Sequence, residues 1–261
     1  MFKLIKKIIL SCLSVLGLSF VVWLVLLMNP SLSYAHQTQF GPVTVYHQQD
    51  LPAETAGMLD QSIHLIRESE LYDEDIRIDL CLNDGSFYPE LWPYKGLTAY
   101  SFMNKTVIYR SEPDFAHNYT EWSWAVNHYE RRRWKLTELL AHEFIHVLQY
   151  QQEKLHTLKY DHWKIEGYAE YVSRKERGPL LPLVRQLAEE QNKQHNGIPW
   201  ITFADGTGTS LMYLERWLVV GYLMEEKGMS YRQILDSTLS FDDIRSKMLA
   251  WAQALETVRE Q

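Results

Sequence analysis

The sequence predicts an α+β fold, with a small strand-containing lobe followed by a helical lobe and one apolar helix ahead of both. Three observations carry this. An uncharged run of 21 residues lies near the N-terminus, short alternating segments follow it, and from about Arg133 onward the chain reads as helix. Strands first and helices after is the α+β order.

The run from Ile8 to Met28 is the first element. At 1.5 Å per residue it spans about 30 Å, the hydrocarbon thickness of a bilayer. Lys3, Lys6 and Lys7 precede it, and the next Lys or Arg is Arg67. The positive-inside rule then puts the N-terminus in the cytoplasm and the remainder outside. Residues 1–35 thus read as a membrane anchor or a signal sequence. Ser33-Tyr34-Ala35 offers small residues for cleavage before His36, so a secreted product is the alternative to a tethered one.

Residues 36–261 contain no linker or repeat and are expected to form a single domain. Val43–His47 alternates as a strand. Residues 52–71 have helical spacing through Met58, Ile63 and Ile66. The 76–82 segment alternates again and breaks at Asn83-Asp84-Gly85, a turn signal. Residues 97–103 and 105–110 read as two strands joined at Asn104, and 111–130 as an irregular loop. Helices are expected over 134–154, 163–176, 180–193, 209–227, 230–237 and 241–258, punctuated by Asn196-Gly197, Asp205-Gly206, Gly208 and Gly228.

Composition narrows the function. The chain of 261 residues carries a net charge of −7. Removing the first 35 residues takes away three lysines and no acid, leaving the outer part at −10. With a pI near 5.8, nucleic acid is not an expected partner, since phosphate binding needs a basic face. Cys12 lies in the apolar run and Cys81 is alone outside it, so no disulfide framework is expected.

The chemistry concentrates in the helix expected from Trp134. It carries His142-Glu143-Phe144-Ile145-His146, an H-E-x-x-H pattern. Residues i and i+4 stand one turn apart on one helix face, so two imidazoles can chelate one tetrahedral ion. The intervening Glu143 reaches toward a neighbouring water without ligating the metal. Two partly buried histidines flanking a surface glutamate would be the bland reading. Burying two His and a Glu without a use would, however, cost several kcal/mol.

A catalytic zinc site needs a third protein ligand and an open fourth position. The next helix reads Trp163-Lys164-Ile165-Glu166-Gly167-Tyr168-Ala169, and 19 residues separate His146 from Glu166. These motifs resemble the gluzincin metallopeptidases, the class of thermolysin and the aminopeptidase N family. There H-E-x-x-H is followed by a helix carrying a glutamate ligand, often as W-L-N-E-G-F-A. The resemblance covers about 134–228 and implies a thermolysin-like catalytic domain binding one Zn²⁺ through His142, His146 and Glu166. Gly167 and Ala169 would be small where those two helices approach. Glu170, one turn after Glu166, is at the offset where an acid in thermolysin-like members orients a ligand histidine, or else a solvated acid. The segment Tyr213 to Gly228 resembles the aminopeptidase helix whose opening Tyr stabilises the tetrahedral intermediate, which puts Tyr213 in that role. The strand region 95–105 lacks the glutamate of the aminopeptidase G-x-M-E-N strand, so an amine-binding specificity is not implied.

The resemblance therefore implies a zinc metallopeptidase with Glu143 as general base, acting on a peptide or protein substrate and attached to the membrane through residues 8–28. A zinc hydrolase acting on a non-peptide amide, or a catalytically idle membrane-attached binding module, are the alternatives. Three lesser candidates remain. His162 sits ahead of the Glu166 helix. Arg131-Arg132-Arg133 reads as a solvated face or a carboxylate or headgroup contact. Asn104-Lys-Thr106 and Asn118-Tyr-Thr120 fit the glycosylation pattern.

Overall fold

The computed structural model describes residues 2–92, 98–108, 113–121, 132–191, 193 and 199–259. In chain order the elements are α1 (Phe2–Met28), β1 (His36–Phe40), β2 (Val43–His47), α2 (Thr55–Arg67), β3 (Ile78–Cys81), β4 (Ala99–Phe102), β5 (Lys105–Ile108), β6 (Tyr119–Glu121) and β7 (Arg133–Lys135). There follow α3 (Leu136–Glu153), α4 (His162–Ser173), α5 (Leu180–Gln191), β8 (Trp200–Thr202), β9 (Gly208–Ser210), α6 (Leu211–Gly221), α7 (Tyr231–Asp236) and α8 (Phe241–Arg259). The fold is mixed α+β, with one N-terminal apolar helix long enough to cross a membrane.

Five strands form one sheet in the order β1-β2-β3-β5-β4. The outer pairs are antiparallel, while β2 pairs parallel with β3 and β3 with β5. Each of the two parallel pairs needs a crossover, and α2 supplies the one between β2 and β3. Alternation then sorts the side chains. Ile78 and Leu80 of β3 join the core that contains Leu59 and Ile66 of α2 and Leu140 and Phe144 of α3. Cys81 joins a second cluster with Tyr88, Trp92 and Val107. That cluster also contains Leu27 of α1 and Tyr34, so the end of the apolar helix packs against the domain.

In the helical half, α4 packs on both α3 and α6. Its closest approach is at Gly167, where a Cβ would lie 2.6 Å from Val220 Cγ2 and 2.7 Å from the Arg216 carbonyl oxygen. The small residue is thus required by α6, not by α3 as expected.

Other expectations also need correction. Residues 133–135 form β7, paired with β6, and not the first turn of a helix from 134. The 111–130 segment contains β6, where an irregular loop was expected; 111–112 and 122–130 lie outside the described residues. The helix expected from 209 begins at Leu211, because Gly208–Ser210 pairs with Trp200–Thr202, and its last turn, Tyr222–Glu226, is a π-helical turn. The helix expected over 163–176 ends at Ser173 and is followed by a 3-10 turn. The β1 strand was not anticipated. Residues 97, 109–110, Arg131 and Asn196-Gly197 lie outside the described residues.

Candidate metal centre

Helix α3 starts without a side-chain cap from its own N-cap residue. Asn118, in a left-handed turn at φ 56°, supplies one from a distance. Its side-chain oxygen accepts from the Thr137 N–H at 2.9 Å and the Thr137 hydroxyl at 2.7 Å, and its carbonyl accepts from the Leu136 N–H at 3.0 Å. The helix start is thereby tied to β6. The role of Asn118 is a cap, and the Asn104 amide is likewise engaged, with Asp79 and Lys105.

From this fixed start, α3 brings His142, Glu143 and His146 to one inner face. His142 Nε2 and His146 Nε2 lie 3.0 Å apart. Glu166, from α4, completes a triangle: its two carboxylate oxygens lie 3.6 Å from His142 Nε2 and 3.4 Å from His146 Nε2. Among the described residues, these three form a group able to hold a metal ion. The spacing fits one. A tetrahedral ion with bonds of about 2.0–2.1 Å holds its donors about 3.3–3.4 Å apart.

Each imidazole is oriented by a partner on its other nitrogen. His146 Nδ1 lies 2.8 Å from Gln149 Oε1. The Gln149 amide nitrogen donates in turn to the Ile165 carbonyl and the Tyr231 hydroxyl, both at 2.9 Å. His142 Nδ1 lies 3.0 Å from Glu170 Oε1. Glu170 is buried and its other oxygen meets Arg174 Nη1 at 2.7 Å. Arg174 also approaches Glu138, which forms a two-pronged pair with Arg177 at 2.7 and 3.0 Å. Hence both Nε2 atoms are left to face the same point, the arrangement found around metal-ligating histidines. The solvated reading of Glu170 is excluded by its burial. Gln149 was missed in the sequence; its one signal is that i+3 from His146 lies on the same helix face.

The electrostatics agree. Burial opposes charge on His142, but Glu170, Glu166 and Glu143 outweigh it and raise its pKa from 6.5 to about 9. Burial likewise opposes charge on Glu166, yet His146, His142, His162 and Arg216 hold its pKa below the ordinary carboxylate value.

Glu143 is buried, and its Oε2 has no hydrogen-bond partner in the protein. An unpaired buried carboxylate oxygen is costly, so it requires an explanation. The Glu143 carbonyl accepts from Ser101 Oγ at 2.9 Å, which fixes β4 beside the helix. Tyr213 sits in the first turn of α6, below the Ser210 cap. Its ring stands edge-on to His142, with centroids 6.1 Å apart. Burial first, then Glu166, Glu170 and Glu143, raise its pKa above the ordinary phenol value, against Arg216. The phenol therefore stays protonated, a donor beside the site.

The remaining candidates separate. His162 is exposed at the site mouth, with Nε2 3.6 Å from Glu166 Oε1. Of the arginine run, Arg132 lies over the Trp200 ring and Arg133 over the Tyr119 ring. Strand β4, not the 105–110 strand, is the sheet edge next to α3. No family model, curated protein or solved structure matches this chain.

Proposed function

We propose that this chain is a zinc metallopeptidase of the gluzincin type, with a thermolysin-like catalytic domain held outside the cytoplasm by α1. The observation that carries the reading is the position of Glu143. It is a buried, unpartnered carboxylate on the turn that bears two histidines whose Nε2 atoms converge with Glu166.

His142, His146 and Glu166 would hold the ion. Two nitrogens and one carboxylate suit Zn²⁺, a borderline-soft ion that accepts N and O donors. When bound, such an ion supplies Lewis acidity, bringing the pKa of water toward about 7 and polarising a scissile carbonyl. Glu143 takes the proton of the attacking water and delivers it to the departing amine nitrogen, so its second oxygen must be free of protein partners. Tyr213, kept protonated by burial and then by its carboxylate neighbours, donates to the oxyanion as the carbonyl carbon becomes tetrahedral. One such donor is worth about 3–4 kcal/mol.

A peptide substrate is favoured over another amide by β4. Among the described residues it is an edge strand, so an extended chain can add to it. Ser101 anchors that strand to the backbone of Glu143, which puts the added chain alongside the reacting groups.

The test joins metal analysis to cleavage. The purified full chain is expected to contain close to one zinc per polypeptide and to cleave members of a peptide library. Glu143→Gln should keep the metal and lose about 100-fold or more in turnover. Full turnover in that variant, or no zinc in the active wild type, would end the proposal.

A further inference from the structure

The end of α1 does not leave the domain on a loose tether. Trp23 Nε1 donates to the Leu91 carbonyl at 2.9 Å, and the Tyr88 hydroxyl donates to the Leu27 carbonyl at 2.6 Å. Just after the helix, the Tyr34 hydroxyl donates to the Leu82 carbonyl at 2.7 Å and Ser86 Oγ donates to the Ser33 carbonyl at 2.9 Å. Three of these contacts bind one segment, Ser86 to Trp92, whose middle is a 3-10 turn at Tyr88–Leu91, and the fourth reaches Leu82 just after β3.

The depth of that segment follows from arithmetic. The uncharged run ends at Met28, and Trp23 is five residues inside it, about 7–8 Å along the helix axis. A carbonyl bonded to the Trp23 indole stands at that level too. If α1 spans the bilayer, the 86–92 turn must then enter its interfacial layer. The side chains suit this. Phe87 is 51% exposed and Leu32, on the chain leaving α1, is 60% exposed. Both are large apolar groups exposed at this level, and aromatic residues favour the headgroup level. Pro89 is buried and Glu90 is exposed; a carboxylate at interfacial depth can reach the headgroup water that one at the bilayer centre cannot.

We propose that Phe87 and Leu32 form a second membrane contact, a wedge in the outer leaflet that fixes the domain against the bilayer. The turn that carries Phe87 reaches the active-site side through Trp92. Trp92 meets Phe102 of β4 edge-on at 5.9 Å, and Phe102 meets Tyr150 of α3 at 5.9 Å. Strand β4 is thus one aromatic contact away from the membrane-embedded turn, and the site works at a set height above the lipid.

The inference rests on reading α1 as a retained span, and the experiment separates the two. The full chain, with exposed Cys12 changed to Ser, carries one environment-sensitive fluorophore at Phe87→Cys. It is reconstituted in phosphatidylcholine vesicles containing a nitroxide-labelled lipid. Leu32→Cys provides an independent second position, and Asp242→Cys, exposed on α8, an aqueous reference. Thermal unfolding unchanged from the parent shows that labelling leaves the fold intact. The expected result is co-flotation with vesicles, blue-shifted emission at positions 87 and 32, and quenching there by the nitroxide lipid but not by aqueous iodide. Co-flotation with water-like, iodide-quenched labels at both positions overturns the wedge and leaves the anchor standing. Failure to co-float overturns the anchor and the wedge together.

Discussion

His142 and Glu170 meet at 3.0 Å through Nδ1 and Oε1, and both are buried. The contact decides which imidazole nitrogen would face a bound ion. It is itself held in place, because Arg174 Nη1 occupies the other Glu170 oxygen at 2.7 Å. His142, the acid that orients it and that acid's counter-ion thus form one chain across α3 and α4. Such orienting partners are typically worth 10–100-fold in metal affinity. Glu170→Gln should therefore weaken zinc binding by that factor in competition with a chromophoric chelator. Arg174→Met should weaken it too, and should also lower stability by about 3–5 kcal/mol in urea unfolding, since it leaves the buried Glu170 carboxylate without its cation while Glu138 keeps Arg177. Wild-type affinity in both variants would show that the pair does not position His142.

The same chain predicts how metal binding depends on pH. In the metal-free protein the His142 pKa is raised from 6.5 to about 9. A raised histidine stabilises the folded state fully below about pH 6.5, and that contribution is lost as pH rises through about 9. The ion requires the neutral ring, so at pH 7.5 binding must expel a proton. The apparent zinc affinity should rise about tenfold per pH unit from 7 toward 9 and then flatten. Calorimetry at pH 7.5 in buffers of different ionisation enthalpy should show close to one proton released by His142. Heats independent of the buffer would contradict the assignment.

Much of this centre is legible in the sequence because it is local. His142, Glu143 and His146 lie within one helical turn, and their spacing alone implies convergence. Glu166 and Glu170 are one turn apart and follow once the second helix is identified by its resemblance. What could not be read depends on tertiary pairing. Gln149 is one of five glutamines from 149 to 191, and nothing local reveals that Tyr231, 82 residues away, will share it. Glu138 acquires its meaning only when Arg174 and Arg177 arrive from beyond α4. The pairs β6–β7 and β8–β9 are three residues per strand, too short to alternate detectably. In β7, pairing with β6 overrides a segment whose side chains read as helix. The apolar run was plain from composition, but its packing on Tyr88 and Trp92 was not, since a span is read by its lack of charge.

Gln149 offers a prediction of a different kind. Its side chain satisfies three groups at once, His146 Nδ1, the Ile165 carbonyl and the Tyr231 hydroxyl. Gln149→Leu keeps most of the volume and removes all three. Each buried polar group left unpaired costs about 1–3 kcal/mol, so with three such groups the variant should lose about 3 kcal/mol or more in urea unfolding. It should also bind zinc more weakly, because His146 loses the contact that fixes its tautomer. Gln149→Glu separates the effects: it retains an acceptor for His146 and loses the donor to Ile165 and Tyr231. Stability should fall in both variants, whereas zinc affinity should fall in the leucine variant and be largely kept in the glutamate variant. Equal loss of affinity in the two would mean that Gln149 acts only through packing.

Gly167 tests whether the third ligand is positioned by α6. A Cβ at this residue would lie 2.6 Å from Val220 Cγ2 and 2.7 Å from the Arg216 carbonyl oxygen. The valine methyl can rotate away, but the backbone oxygen cannot, so Gly167→Ala must push α4 and α6 apart. Overpacking of this kind costs about 1–3 kcal/mol. Glu166 is the adjacent residue, and a shift of α4 moves its carboxylate relative to both Nε2 atoms on α3. The expected outcome is a lowered unfolding midpoint together with weaker zinc binding. Val220→Ala should restore little of either if the Arg216 carbonyl is the controlling contact, and most of both if the methyl is. Wild-type affinity in Gly167→Ala, with only stability reduced, would show that α3 and not α6 sets the position of Glu166.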